Sequence, residues 1–206
     1  TDLPEAIRSV RGGAHRLRQL AISLQNFCHI DEVYPKPADI HSLLDSLLLL
    51  LQSRIKTPLQ IQRDYAKLPP VQCFAGQLGQ VFMSILTSAA DALLAQQLDS
   101  GESPTLILST RVCNAPVAYP TGRWVEVLIR DNGPGLPATV EQDIAAACSP
   151  QARRIKESRL AMGYRIVTAR HGGRFQVRSQ QFTQADHRID RGTEFQVMLP
   201  LMPPDS

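Results

Sequence analysis

The segment that most constrains the fold runs from Asp131 to Gly135 and reads Asp-Asn-Gly-Pro-Gly. It directly follows Val127-Leu128-Ile129-Arg130, a run typical of a β-strand. The two glycines allow a turn, and a close approach of a ligand, that side chains would block. An Asp that a strand delivers into such a turn is suited to accept a hydrogen bond from an exocyclic amine, such as that of adenine. Taken alone, the same pattern also fits a simple hairpin connection.

Hydrophobic periodicity on both sides of this segment predicts an α/β domain. Prolines at positions 35 and 37 end any preceding helix, and Asp39 is suited to cap the next one. The remaining pattern predicts about five strands in a mixed, mostly antiparallel sheet that helices cover on one face. The predicted helices run from Asp39 to about Ile55, from Gln77 to Leu98 and up to His171, and the predicted strands are Leu59–Tyr65, Thr105–Val112, Trp124–Arg130, Arg174–Gln181 and Thr193–Leu199.

The predicted helix from Gln77 to Leu98 carries two stripes of side chains. One stripe is apolar and is expected to face the core. The other is polar, at steps of three and four residues, and this pattern fits either a solvated face or the lining of a cavity. The polar stripe consists of Gln77, Gln80, Ser84, Ser88 and Asp91.

The N-terminal segment has a different pattern. From Ile7 to Cys28 apolar residues recur at alternating steps of three and four, which predicts one helix of about 25 residues with a bundle-type seam. Such a seam favours partner helices, although packing against the core of the same chain remains an alternative. We therefore expect a partial bundle domain over residues 1–34 and an α/β domain over residues 35–206.

Charge and composition narrow the classes of partner. A net charge of +3 is too small to indicate binding to nucleic acid. The longest apolar run, Leu47 to Leu51, is far shorter than the roughly 20 residues that cross a bilayer, so no direct membrane contact is predicted. The four cysteines lack metal-ligand spacing, which favours reduced thiols. We expect a cytoplasmic location.

Further motifs follow one another along the chain. They are Gln80-Val81-Phe82-Met83 with Ala89-Ala90-Asp91-Ala92, the Asp131 to Gly135 turn, Ile166-Val167 with His171-Gly172-Gly173, and Gly192-Thr193-Glu194-Phe195 before Leu199-Pro200. In this order they resemble the catalytic and ATP-binding domain of sensor histidine kinases, over roughly Pro37 to Pro200. The resemblance implies the Bergerat fold, an α/β sandwich that binds ATP beneath a lid. The segment before Pro35 resembles the second helix of that family's dimerisation and phosphotransfer domain.

The resemblance also implies roles for individual residues. Asp131 corresponds to the adenine-recognising carboxylate, Gly133 and Gly135 to the turn around it, and Thr193 to a supporting contact near the base. The family's magnesium site uses asparagines at the places where this chain has Ser84 and Ser88. We expect Ser88 to be the metal-side residue and the binding of Mg²⁺ to be weakened, because a hydroxyl is shorter than a carboxamide and a poorer acceptor.

The second glycine box of the family is also altered. Its glycines align with Glu157 and Arg159, where negative charge and bulk replace the flexible backbone that approaches phosphates. The lid segment lacks the family's phenylalanine. The basic residues nearby fit a phosphate clamp, a solvated loop or a docking site for an acidic partner, and they are Arg153, Arg154, Lys156 and Arg159.

The phosphoacceptor histidine is expected outside this chain, since His15 lacks the acidic neighbour that the family places there. No catalytic residue is therefore predicted. The resemblance implies the C-terminal part of a two-component kinase, with weakened or lost nucleotide binding, a homodimer formed through the helix bundle, and a response regulator receiver domain as partner. The alternative is a pseudokinase module that acts by dimerisation and partner docking. A chaperone-type or DNA-repair ATPase would need a glutamate near position 84, and Ser84 argues against it.

Overall fold

The computed structural model describes residues 34–55, 59–95, 103–119, 121–136, 159–179 and 192–201. The predicted bundle helix, apart from Tyr34, lies outside these residues. The same holds for the lid segment, for Glu157, and for the basic residues from Arg153 to Lys156. Within the described part, no helix is long and apolar enough to cross a membrane.

A five-stranded sheet organises the described residues. Its strand order is β2-β4-β5-β7-β6, with β2 and β4 parallel and the other pairs antiparallel, and β1 and β3 form a separate antiparallel pair. The elements are β1 (Lys36–Ala38), α1 (Ile40–Arg54), β2 (Gln60–Tyr65), β3 (Val71–Cys73), α2 (Ala75–Ala95), β4 (Thr105–Asn114), β5 (Arg123–Asp131), α3 (Arg159–Arg165), a π-helical turn (Ile166–Arg170), β6 (Arg174–Ser179) and β7 (Thr193–Pro200). The predicted mixed, mostly antiparallel sheet of five strands is confirmed.

The core lies between one face of the sheet and the helices. The apolar stripe of α2 is buried there, together with every second residue of the central strands, because alternate side chains of a strand point to opposite faces. Its central side chains include Leu78, Phe82, Ile85, Leu108, Val127, Ile129, Phe195 and Val197. The opposite face of the sheet carries cross-strand ion pairs instead, between Arg111 and Glu126 and between Glu194 and both Arg130 and Arg178.

The strand register determines where polar residues of the core face meet. Asp131, the last residue of β5, pairs with Thr193, the first residue of β7, and with Leu106 near the start of β4. Because Asp131 shares a face with Val127 and Ile129, its carboxylate points toward the helices. The sheet therefore presents an acid and a hydroxyl side by side at one edge of the core.

Capping groups determine where the helices begin and end. Asp39 caps α1 as predicted, since its carboxylate accepts hydrogen bonds from the backbone N–H groups of His41 (2.9 Å) and Ser42 (3.4 Å). The α3 helix continues through the π-helical turn to His171. There Nε2 accepts the N–H of Phe74 at 3.1 Å, and Nδ1–H donates to the carbonyl of Ile166 at 3.0 Å.

His171 ends the helix as a neutral imidazole. Burial lowers the pKa of its imidazole, because the charged form is poorly solvated there. The neutral ring is also required by the hydrogen bond from Phe74, since Nε2 must keep its lone pair to accept it. The role of His171 is structural, and it consists in joining the end of the π-helical turn to the start of α2.

Candidate functional site

Asp131 is the centre of the candidate site. Its side chain is fully buried. Oδ1 accepts hydrogen bonds from the backbone N–H groups of Gly133, at 2.9 Å, and Thr193, at 3.2 Å. Oδ2 is also buried but has no hydrogen-bond partner. One carboxylate oxygen thus fixes the orientation of the group, and the other is left without a hydrogen-bond partner.

Thr193 provides a second unused polar atom beside the first. Its side chain is fully buried, and Oγ1 has no hydrogen-bond partner. Buried polar groups in proteins are nearly always paired, so adjacent unpaired ones require an explanation. A hydroxyl is able both to donate and to accept a hydrogen bond. Together, Asp131 and Thr193 are suited to bind a ligand edge that carries a donor next to an acceptor.

Burial also changes the acidity of Asp131. Poor solvation of the charged form raises the pKa of its carboxyl group to about 6, and the backbone N–H groups of Gly133 and Thr193, together with the nearby Thr193 side chain, partly oppose that rise. At neutral pH the group is still largely ionised. It is then a charged acceptor in a dry environment, where a hydrogen bond to a ligand is stronger than it is in water.

Glycines shape the backbone around the carboxylate. A Cβ atom on Gly133 would lie 2.8 Å from Oδ1 of Asp131, and Gly135 has a φ of +89°, so both predicted turn residues lie at the site. Gly192 was not predicted as a site residue. Its φ is +138°, and a Cβ there would lie 1.8 Å from the carbonyl oxygen of Asp131. The sequence could have indicated Gly192 as a site residue, because it directly precedes Thr193.

Asn132 is a second residue that the sequence analysis missed. Its Oδ1 accepts the N–H of Thr105 at 2.8 Å, and its Nδ2 donates to the carbonyl of Ser103 at 3.1 Å. The start of β4 is thereby joined to the end of β5. A polar residue directly after a strand was the signal in the sequence, but its partners come from a distant segment.

The Asp131 turn packs against α2. The nearest side-chain atoms to a Cβ on Gly133, apart from Asp131 itself, belong to Leu93 (3.6 Å) and Ala92 (3.7 Å). Ser88 lies about one helical turn before them. The helix thus brings its polar stripe to the site, and the solvated-face alternative does not describe Gln77, Gln80, Ser84 and Ser88, which are all partly buried, whereas Asp91 is exposed.

The polar stripe offers weak ligands. The hydroxyl of Ser84 donates to the backbone carbonyl of Gln80 at 2.8 Å, so its proton is already used within the helix. Oε1 of Gln77 is buried without a hydrogen-bond partner. Among the residues that the structure describes, no three His, Cys, Asp or Glu side chains are grouped to hold a metal ion. The serine hydroxyls are poor ligands for Mg²⁺, which requires strong oxygen donors.

Arg159 is exposed at the start of α3. The α3 helix and the π-helical turn run antiparallel along α2, because Gly163 lies beside Val81 while His171 lies beside Phe74. Because Arg159 lies one helical turn before Gly163, the same antiparallel arrangement places it near Ser84 of α2. The predicted site residues therefore form two groups, one around Asp131 on the sheet and one along α2 and α3.

Comparisons with known proteins identify the family of the chain. Residues 75–203 match the model of the family described as histidine kinase-, DNA gyrase B-, and HSP90-like ATPases. The match covers more than half of the chain, which therefore belongs to this family of ATPases. The resemblance to the catalytic ATP-binding domain of sensor histidine kinases is thereby confirmed.

Two relatives are sensory histidine kinases/phosphatases named NtrB. The protein of Rhizobium leguminosarum bv. phaseoli is 30% identical over 129 residues, which are 60% of this chain and 33% of that protein. The protein of Rhizobium meliloti is 29% identical over 107 residues, which are 49% of this chain and 27% of that protein. The chain thus spans about a third or less of the length of these relatives.

Solved structures share the fold. The mycobacterial sensor histidine kinase MprB matches with a TM-score of 0.55 at 20% identity, over 82% of this chain and 99% of that one. The catalytic domain of the histidine kinase ThkA matches with a TM-score of 0.57 at 17% identity, over 82% of this chain and 98% of that one. The Bergerat-type sandwich expected from the sequence is confirmed.

Proposed function

We propose that this chain is the C-terminal part of a two-component sensor histidine kinase with weakened nucleotide binding. In such a protein, ATP would phosphorylate a histidine, and the phosphoryl group would pass to a response regulator. The observation that best supports nucleotide binding is the pair of buried, unpartnered atoms Oδ2 of Asp131 and Oγ1 of Thr193. Membership in the ATPase family supports the same proposal.

Each group of residues has a distinct task in this proposal. Asp131 would accept a hydrogen bond from the exocyclic amine of adenine, and the hydroxyl of Thr193 would bond to the adjacent ring nitrogen. Gly133 and Gly135 would form the turn around the carboxylate. ATP itself would supply the γ-phosphoryl group.

The phosphate side of the proposed site is less well equipped. Ser88, with Ser84 beside it, would face the metal ion, and Arg159 would approach the phosphates. We propose that the parent protein is a homodimer formed through residues 1–34, and that its partner is the receiver domain of a response regulator.

A second candidate function is a pseudokinase module that acts by dimerisation and docking of partners. The observation that favours it is the composition of the polar stripe, where Ser84 and Ser88 offer only neutral hydroxyl oxygens to a cation. Arg159, at a place where the family has a glycine, supports the same candidate.

Calorimetric titration of ATP, with and without Mg²⁺, distinguishes the two candidates. The test variant is Asp131→Asn, which removes the charged acceptor. The matched control is Asp64→Asn, which makes the same chemical change at an exposed position of β2. Binding that is lost in the first variant and kept in the second supports the nucleotide site. No heat and no thermal shift at millimolar ATP would instead favour the pseudokinase.

A further inference from the structure

We infer that the face of the sheet opposite to the core is a docking surface for an acidic amphipathic helix of a partner protein. This open face is formed by the alternate side chains of the strands, such as Glu126, Leu128 and Arg130 of β5, that point away from the core. The inference does not rest on the proposed function, because the Asp131 carboxylate lies on the other face of the same sheet.

Four arginines bring positive charge to the open face. Arg130 and Arg178 lie in one row across the strands, on the two sides of Glu194. Arg111 and Arg174 lie in a second row, four residues further along the strands. The side chains of Arg111 and Arg178 are 64% and 66% exposed. A partner that approaches this face therefore meets guanidinium groups first.

The carboxylates between these arginines lie beneath the guanidinium groups. The side chains of Glu126 and Glu194 are only 2% and 4% exposed, and they accept hydrogen bonds from Nε of Arg111 and Nε of Arg130, respectively. Because a guanidinium has five N–H donors, a bond through Nε leaves donors for a second carboxylate. The exposed carboxylate on this face of the described strands, Asp64, lies on the edge strand β2. The glutamates thus hold the arginines in place for a ligand.

An apolar strip crosses the open face between the arginines. It consists of Ile107, Leu128 and Met198, which lie in successive rows on β4, β5 and β7, and none of them belongs to the main apolar core. Ile107 and Leu128 are partly exposed. The spacing of strands and residues gives the strip a length of about 17 Å. Arg111 lies on one side of the strip and Arg130 on the other.

This pattern is complementary to an amphipathic α-helix with acidic flanks. At a rise of 1.5 Å per residue, a strip of about 17 Å corresponds to about 11 residues, or three helical turns. The apolar stripe of such a helix would cover Ile107 and Leu128. Glutamates or aspartates on its two flanks would reach Arg111 and Arg130, and guanidinium groups bind carboxylates through two parallel hydrogen bonds.

Other occupants match the open face less well. In a second copy of this chain, two surfaces of the same charge would face each other. Nucleic acid would gain from the arginines but not from the apolar strip. A membrane surface requires protruding apolar side chains, and among the described residues no strongly exposed large apolar side chain lies on β4, β5, β6 or β7.

Binding of a synthetic peptide to the intact chain tests the inference by fluorescence anisotropy. The probe is a helical peptide of about 14 residues, with leucines along one stripe and glutamates on both flanks. In one control peptide lysines replace the glutamates, and in the other serines replace the leucines. We expect the probe to bind about tenfold more tightly than either control, and to weaken as salt is raised from about 0.05 to 0.2 M.

Two variants remove arginines without leaving a buried charge unpaired. Arg178→Gln leaves Glu194 paired with Arg130. Arg111→Gln combined with Glu126→Gln removes both members of one ion pair. Each variant should weaken binding of the probe about threefold, which lies within the range of an exposed ion pair.

Arg63→Gln is the matched control. Arg63 is ion-paired with Asp45 at 2.9 Å and is 42% exposed, but it pairs with Leu108 and so lies on the core side of β2. The variant loses the same charge as Arg178→Gln and should leave binding of the probe unchanged. Thermal unfolding of each variant establishes that it is folded before titration.

Methyl NMR spectra locate the bound probe. The signals of Ile107, Leu128 and Met198 should shift, and those of Val127 and Val197, on the core face, should shift much less. Shifts confined to residues 137–158, equal weakening by the control variant, or no binding to the folded chain would each overturn the inference. Duplex DNA or phosphatidylserine vesicles that bind more tightly than the probe, through the same arginines, would overturn it in favour of those partners. Self-association that the arginine variants abolish would overturn it in favour of a second copy.

Discussion

The candidate site has two ends: the base end, around Asp131 and Thr193, and the phosphate end, formed by Ser84, Ser88 and Arg159. They are built in different ways. At the base end, the position of Asp131 is determined by the main chain, through two backbone N–H donors and a glycine that admits no side chain. At the phosphate end, the candidate ligands are side chains that project from α2 and α3. The first arrangement is difficult to alter without disturbing the sheet, and the second changes with the substitution of a single side chain.

The two ends also differ in their effect on the stability of the fold. Unpaired polar atoms in a dry environment lower stability, and two of them lie side by side at Asp131 and Thr193. Sites that sacrifice stability in this way are typically functional. The serines of α2 carry no such penalty, because Ser84 is satisfied by its own helix.

Substitution of Gly192 should have the largest effect on the base end. In Gly192→Ala, the new Cβ would lie 1.8 Å from the carbonyl oxygen of Asp131, at a φ of +138° that disfavours side chains. We expect the free energy of unfolding in urea to fall by about 3 kcal/mol or more.

Gly122→Ala is its control, because Gly122 also has a positive φ (+149°) but nothing lies within 4 Å of a Cβ there. Its loss should be roughly 1 kcal/mol, the backbone contribution alone. Equal losses in the two variants would contradict the close contact at Asp131.

Asp131→Asn should have the next largest effect on stability. The variant should lack a loss of stability that the native chain undergoes as the pH rises. The pKa of Asp131 is raised from 3.8 to about 6, so the folded state holds its proton more tightly than the unfolded state does. Its contribution to stability is therefore full below pH 4 and is lost as the pH rises through about 6. Relative to the Asn variant, the native chain should lose roughly 2–3 kcal/mol over this range.

Urea unfolding of both proteins between pH 4 and pH 7 measures this change. A stability difference that stays constant across the range would show that the carboxyl group titrates normally, and the base end would then lack its dry, charged acceptor.

The double variant Ser84→Asn with Ser88→Asn tests the phosphate end. Two carboxamides replace hydroxyls on the partly buried stripe, which improves the oxygen ligands available to a cation. We expect ATP affinity to become dependent on Mg²⁺ by about tenfold. Adenosine, which lacks phosphates, should change much less. An ATP affinity that stays insensitive to Mg²⁺ would mean that more than these two side chains separates the chain from a metal-dependent site.

The smallest effect is expected far from the site, in the connection between β4 and β5. Ala118 has a φ of +73° at the third position of a turn, which Tyr119 N–H closes on the carbonyl of Pro116 at 3.1 Å. Glycine is preferred at such a position. Ala118→Gly should raise the free energy of unfolding by about 0.5 kcal/mol and leave adenosine binding unchanged. A change in adenosine affinity would show that stability and base binding are not separable here.

The parts of the molecule that local patterns determine were predictable from the sequence. The Asp39 cap, the apolar stripe of α2 and the alternating strands follow from short-range rules. The β1–β3 pair was missed because strands of three residues show too little alternation to be recognised. Asn132 was missed because its partners Ser103 and Thr105 are determined by the register of the sheet.

The candidate site was predictable as a set of residues but not as a geometry. Asp131, Gly133, Gly135 and Thr193 were named from motifs, and the structure brings them together. One oxygen of Asp131 accepts backbone hydrogen bonds and the other accepts none. This difference depends on the directions of backbone N–H groups, which a sequence does not specify.

The pairing of β5 with β7 has a consequence for the kinetics of folding. Asp131 and Thr193 are 62 residues apart in the chain, so the strand pair that carries the base end closes a long loop. Contacts between distant segments form slowly, because chain entropy must be lost before they form. A base bound across the two strands would join the ends of that loop. Its main kinetic effect should therefore be to slow unfolding, by up to the full factor that its affinity for the folded state provides.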